Sequence, residues 1–256
     1  LVGSEMCIRD STTGQYNVAI GHLALYTADA TQNNTAIGYT AMRLTTTGDY
    51  NVAVGSGTLY NNTTGTQNVA IGSAAMSTNT IGIQNVALGV SALYGNTTGG
   101  GNVALGYQAM QVCSTGSQNI AIGFNAMNVA YGGSMNIALG PNALNAVTSG
   151  QQNIGIGFRA LYSLTTGTYN TAIGSGTGQY LTGGNYAVAI GYNALNSTCS
   201  GGTAVGSQAL TSYTGVGYNT AIGYRASYSN TTGEHNTALG YNALYSTTTG
   251  TYLSLI

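Results

Sequence analysis

What this chain lacks narrows the field first. Nine of its 256 residues are Asp, Glu, Lys or Arg, and the net charge is −1. A surface so poor in Lys and Arg cannot hold nucleic acid or an anionic membrane by charge, so neither is expected as a partner. There is one proline, Pro141, and no tryptophan. The 40 glycines therefore cannot signal collagen, which needs abundant proline as well as Gly at every third residue. No apolar run approaches the roughly 20 residues of a membrane-spanning helix, so membrane insertion is not expected.

What is present is a repeat, and repeats take precedence over residue-level reading. The stretch Asn17 to Asn33, NVAIGHLALYTADATQN, returns at Asn34, Asn51, Asn68, Asn85, Asn102, Asn119, Asn136, Asn153, Asn170, Ala187, Gly202, Asn219 and Asn236. That makes fourteen units of 17 residues, with one step, Ala187 to Gly202, short by two. The fifth position is Gly in all fourteen units and the fifteenth is Gly in twelve, so the glycines are phased.

The first five residues of a unit, as in Asn68 to Gly72 (NVAIG), alternate as a short strand does. The second position is always β-branched and the fourth is always Ile, Leu or Val, which suits a pleated strand rather than a helix. The fourth, including Ile20, Ile37, Ile71 and Ile122, is expected to form the core. Ile122→Asp should then break the coil locally, since an unpaired buried carboxylate costs several kcal/mol. Ala at the third position implies a close approach on the other face. Gly at the fifth turns the chain. A second short strand is expected at the eighth and ninth positions, where Ala precedes Leu or Met, as at Leu25, Leu93 and Leu161. The Ser/Thr/Asn run that follows is turn chemistry, with the fifteenth Gly available for a positive φ.

Seventeen residues suit one coil of a parallel β-solenoid, an all-β roll in which equal phases of successive coils stack about 4.8 Å apart. Asn17, Asn34, Asn51, Asn68, Asn85, Asn102 and Asn119 then form an amide ladder, each side chain donating to the next. Aromatic rings keep phase too. Tyr39, Tyr107, Tyr192, Tyr224 and Tyr241 at the sixth position form a candidate surface stripe that could bind glycans, although corner packing is the commoner use of such rings. The short unit should keep Val188, Ile190 and Leu195 over Thr203, Val205 and Leu210, with the loss absorbed at the Gly201-Gly202 corner, because strand phase is constrained and loop length is not.

The strings NTAIGYRA (Asn219–Ala226) and NTALGYNAL (Asn236–Leu244) resemble the repeats of bacteriophage tail-fibre shafts and, more loosely, the head of trimeric autotransporter adhesins. The likeness covers residues 11–252, the repeat domain. It implies an extracellular or virion-surface fibre of three chains, and it says little about a ligand. Residues 1–10 (LVGSEMCIRD) and 253–256 (LSLI) fall outside the repeat. They resemble translated sequencing-library ends, so the natural chain is expected to extend further in both directions.

Chemistry is marked by absence. His22 and His235 lie thirteen units apart, about 60 Å of stack, and Asp29, Asp49 and Glu234 are equally scattered. No catalytic set, metal cluster or phosphate cradle is expected, nor any cofactor, and the chain is not expected to be an enzyme. Cys113 and Cys199, five units apart, cannot pair and read as small fillers. Asn-x-Thr triplets at Asn33, Asn62, Asn96 and Asn230 offer sugar-attachment signals. The function expected is therefore structural: a self-assembling extracellular fibre, stacked end to end, whose partner is itself as homopolymer or homotrimer. A glycan-recognising tail-fibre or adhesin shaft is the alternative. An ice-binding solenoid is weaker, because the second position carries only five Thr among fourteen.

Overall fold

The computed structural model describes residues 14–198 and 200–256, in two compact units that divide at Gly132 and Gly133. The tail at 1–10 and Cys199 lie outside the described residues. The first unit carries β1 (Val18–Ile20), β2 (Thr35–Ile37), β3 (Val52–Val54), β4 (Val69–Ile71), β5 (Val86–Leu88), β6 (Val103–Leu105) and β7 (Ile120–Ile122). The second carries β8 (Ile137–Leu139), β9 (Ile154–Ile156), β10 (Thr171–Ile173), β11 (Val188–Ile190), β12 (Thr203–Val205), β13 (Thr220–Ile222), β14 (Thr237–Leu239) and β15 (Ser254–Leu255). Within each unit successive strands pair in parallel and phase for phase, as Val52↔Val69 and Ala53↔Ala70 show. The fold is a parallel β-solenoid with one three-residue strand per 17-residue coil.

The coil opening at Asn68 shows how the backbone is satisfied. Val69 N donates to Asn85 O at 2.8 Å in the following coil, and Gly72 N donates to Val54 O at 2.8 Å in the preceding one. The alternation continues around the corner: Ala74 N to Ser56 O at 2.8 Å, then Met76 N to Ala92 O at 3.0 Å. Positions eight and nine are thus hydrogen-bonded between coils without being a second strand. They form a turn, because positions seven and nine are both left-handed, as at Ala74 (φ 55) and Met76 (φ 49). A left-handed L-residue costs roughly 1–2 kcal/mol. Burying a Leu or Met at position nine returns about 1.5–3 kcal/mol, so the turn is held by the core beneath it.

The inside of the coil is the reverse of the sequence expectation. Ala at the third position is buried in every coil, whereas Ile20, Ile71 and Ile122 at the fourth are 48%, 37% and 41% exposed, and Ile37 is half-buried. The reason is width. At Gly155, the one third position without a Cβ, an added Cβ would meet Leu144 Cγ at 3.1 Å and Ala160 O at 3.2 Å. The interior therefore admits Ala opposite Leu25, Leu93, Leu161 and their equivalents, and these are the side chains that fill it. The larger β-branched residues are left outside.

The two glycine phases answer different demands. Gly72 has φ +127, and a Cβ there would lie 2.5 Å from Gly89 O. The fifteenth glycine has no positive φ, contrary to expectation: a Cβ on Gly82 would meet Gly99 O at 2.5 Å and Asn96 Nδ2 at 2.6 Å. Crowding by the next coil fixes it. The positive φ falls instead at the seventeenth position, as at Gln67 and Gln84.

Candidate functional site

Asn at the first position forms the expected ladder. Asn51 Nδ2 donates to Asn34 Oδ1 at 3.2 Å, and Asn68, Asn85, Asn102 and Asn119 repeat the bond at 3.1–3.2 Å. Each amide also closes its own coil by donating to the fifteenth carbonyl, as Asn51 Nδ2 does to Gly65 O at 2.9 Å. Asn17 opens the series through Thr31 O at 2.7 Å, and its Oδ1 accepts from Asn34 N at 3.0 Å.

Sequence reasoning missed a second interior column at position twelve. Asn79 Nδ2 donates to Asn62 Oδ1 at 2.8 Å and Asn96 Nδ2 to Asn79 Oδ1 at 2.7 Å, all buried. Elsewhere the same position holds Cys113, Ala130, Val147, Leu164 and Leu181. Changing chemistry hid the burial these residues share. Three of the Asn-x-Thr triplets fall here: Asn62, Asn96 and Asn230 are buried, with amides bound inside the coil. They are closed to sugar attachment in the folded chain, whereas Asn33 is exposed. Cys113 is a buried filler as expected, and burial pushes its thiol up to about 12. Outside, the Thr of position thirteen spends its hydroxyl on the next coil, as Thr63 Oγ1 does on Thr80 O at 3.0 Å.

The short coil keeps its register: Val188↔Thr203 and Ile190↔Val205 pair, and Leu195 N donates to Ala209 O at 2.9 Å. Gly201 N still donates to Asn185 O at 2.9 Å, the bond the seventeenth residue makes in a regular coil. The deletion therefore lies before Gly201, where residues 196–199 stand for the six of a regular loop. Ala187 and Gly202 interrupt the Asn ladder at this point. Tyr213, wholly buried at position twelve, fills the space, its hydroxyl accepting from Gly217 N at 2.7 Å and donating to Gly217 O at 2.8 Å.

The sixth-position aromatics are exposed but do not make a continuous stripe. His22 stacks on Tyr39 at 5.5 Å, Tyr107 on Phe124 at 5.6 Å and Tyr224 on Tyr241 at 5.4 Å, with interplanar angles of 7°, 7° and 16°. Paired rings cover each other's faces. Tyr192, by contrast, stands between coils that carry Ser175 and Ser207 at this phase. The described arginines also serve rings: Arg43 lies over Tyr26 and Tyr60, Arg159 over Phe158 and Tyr162, Arg225 over Tyr224 and Tyr228.

The larger candidate surface is the outer face of the sheet. Positions two and four point outward together, giving Val18/Ile20, Val52/Val54, Val86/Leu88 and Ile120/Ile122 in the first unit. In the second unit the second position passes from Ile137 and Ile154 to Thr203, Thr220 and Thr237. Among the described residues no group of three His, Cys, Asp or Glu side chains could hold a metal. His235 stacks on Tyr252 at 5.1 Å, as His22 does on Tyr39. The tail Leu253–Ile256 continues the ladder: Leu253 N donates to Asn236 Oδ1 at 2.8 Å, and Ser254 pairs with Thr237. No family model, curated protein or solved structure matches this chain.

Proposed function

We propose that this chain is a structural segment of an extracellular fibre that assembles with copies of itself through the outer sheet face. One observation carries the reading: every coil leaves two β-branched or aliphatic side chains, or Thr with one, pointing outward while its interior is filled by Ala and Leu or Met. In the first unit alone, seven strands of three residues make a strip of roughly 29 by 10 Å, about 300 Å². That already matches the largest apolar patch of an ordinary monomer, about 300–600 Å². A second copy is the occupant that fits, because the strip is uncharged and repeats along the stack in steps of about 4.8 Å. Another strip of the same kind offers the same repeat. End-to-end stacking, the expectation from sequence, rests on the chain ends, whereas this face is built by every coil.

The resemblance to tail-fibre shafts and adhesin heads favours three copies. Sedimentation equilibrium of the purified chain tests the reading. A mass near three times 25.9 kDa is expected, with Val52→Lys/Val69→Lys/Val86→Lys shifting it to the single-chain value while the far-UV spectrum is unchanged. A wild-type chain that remains single at high micromolar concentration would overturn it.

A further inference from the structure

A separate surface carries an irregular run of aromatic rings. In the second unit the sixth position reads Phe158, Ser175, Tyr192, Ser207 and Tyr224 through five successive paired coils, so rings alternate with serines. Where two rings are neighbours at this phase they lie face to face, which directs their faces along the stack. Phe158 and Tyr192 are two coils apart, about 9.6 Å at the usual strand spacing. With the same orientation their faces bound a slot over Ser175, which is exposed.

The polar surroundings of that slot are built as well. Asn193 leans back over Gly176, where its Oδ1 takes the place a Cβ would occupy, and Gln179 Oε1 lies 3.6 Å from the same point. Both carboxamides therefore sit in the coil of Ser175, and only Gly at 176 leaves them room. Arg159 lies over Phe158 at 5.1 Å as Arg225 lies over Tyr224, and a reach like that of Arg225 takes it toward the preceding, Pro141 coil, away from Ser175. In Arg225 that reach fills the next slot, over Ser207. Arg225 lies over Tyr224, and its Nε donates back to Gln208 Oε1 at 2.7 Å, in the Ser207 coil.

Width selects the ligand. Carbon contacts of about 3.5–4.0 Å on each side of a puckered six-membered ring give a filled slot of roughly 8–9 Å, while a flat base between two rings needs only about 7 Å. At about 9.6 Å the slot admits a chair with a little room to spare and is far too wide for a planar ring. A wall on each side demands C–H groups on both faces, which a pyranose with all-equatorial hydroxyls presents and one with an axial hydroxyl does not. We propose that the slot between Phe158 and Tyr192, floored by Ser175 and flanked by Asn193 and Gln179, binds a neutral gluco-configured pyranose of a glycan chain.

Titration of the purified chain with cellotetraose, followed by calorimetry and by saturation-transfer NMR, tests this. Binding in the millimolar range is expected, with a galactose-configured β-1,4-tetrasaccharide at least tenfold weaker. Tyr192→Ala should weaken cellotetraose binding at least tenfold. Ser175→Tyr should abolish it by completing a ring ladder of the kind Tyr107 and Phe124 already form, and so should leave the thermal melt intact. Absence of cellotetraose binding by the wild-type chain, or binding unchanged in Ser175→Tyr, would overturn the proposal.

Discussion

Asn68 donates its Nδ2 to Asn51 Oδ1 at 3.1 Å and to Gly82 O at 2.8 Å, and its own Oδ1 accepts the backbone N–H of Asn85 at 3.0 Å. One side chain thereby ties three successive coils and closes its own. Asn68→Ala leaves Asn85 N–H without that partner in a dry interior, at about 1–3 kcal/mol, whereas Gly82 O keeps the bond from Asn79 Nδ2 at 3.2 Å. Chemical denaturation should show a loss of roughly 1–3 kcal/mol on the same scale. Asn68→Asp should lose more at neutral pH, because the ladder needs a donor and burial disfavours the charge. Its deficit should shrink as pH falls and the acid becomes neutral.

The period of the sequence made the strands, their parallel register and this ladder legible, since a strict 17-residue phase leaves stacking as the only way to bury the repeated positions. The sense of the alternation was not legible. Val69-Ala70-Ile71 shows that two faces exist, and the rule that large apolar residues go inside chooses the wrong one. A coil this thin has room for only Ala opposite Met76 or Leu93. Met76 in a left-handed turn was hidden because nothing about Met favours that conformation. Position twelve was hidden because Asn79, Cys113 and Leu164 share burial and not chemistry.

Strand β7 tests the inside-out reading directly. Ala121 is wholly buried and Ile122 is 41% exposed. Ala121→Leu should overpack the interior by about 1–3 kcal/mol or more. Ile122→Asp should move the unfolding midpoint of a single chain by less than that, and should act on self-association instead. Equal losses in the two variants, measured on dilute monomer, would contradict the inward assignment of the third position.

Left-handed residues at exposed corners predict a gain. Ala74 has φ 55 and is only half-buried, so it adds little packing to offset its conformation. Relief of roughly 1–2 kcal/mol in the left-handed region should outweigh about 0.5–1 kcal/mol of added chain entropy in Gly. Ala74→Gly should therefore raise the thermal midpoint. The chain already places Gly57 and Gly176 at this phase, with φ 64 and 66.

Cys113 gives a pH signature. Burial lifts its thiol from 9.0 to about 12, the backbone contact with Gly116 acting weakly the other way. The unfolded thiol ionises first, so its contribution to stability is complete below pH 9 and declines as pH rises from there towards 12. In a Cys7→Ser/Cys199→Ser background, Ellman's reagent at pH 8 should react with the folded chain no faster than the chain unfolds. Rapid labelling without unfolding would place the thiol at the surface.

The defect at the short coil yields the most specific test. Ala187 and Gly202 remove two amides from the ladder, residues 196–199 shorten the loop, and Tyr213 in the following coil occupies the interior with its hydroxyl on Gly217. If these changes compensate one another, the ring supplies volume and the hydroxyl supplies the coil closure that Asn gives elsewhere. Tyr213→Phe should then cost about 1–3 kcal/mol, the penalty for leaving the Gly217 backbone groups unmet. Tyr213→Ala should cost more, about 3–5 kcal/mol, because a cavity is added. Restoring the amide with Gly202→Asn should not rescue either the wild type or Tyr213→Phe. An added Cβ at 202 would lie 3.0 Å from Leu195 Cδ1, in space the shortened coil has already given to that side chain. Paired denaturation curves of the three single variants and the Gly202→Asn/Tyr213→Phe double variant decide the matter, and full rescue in the double variant would mean that the ring is a passive filler.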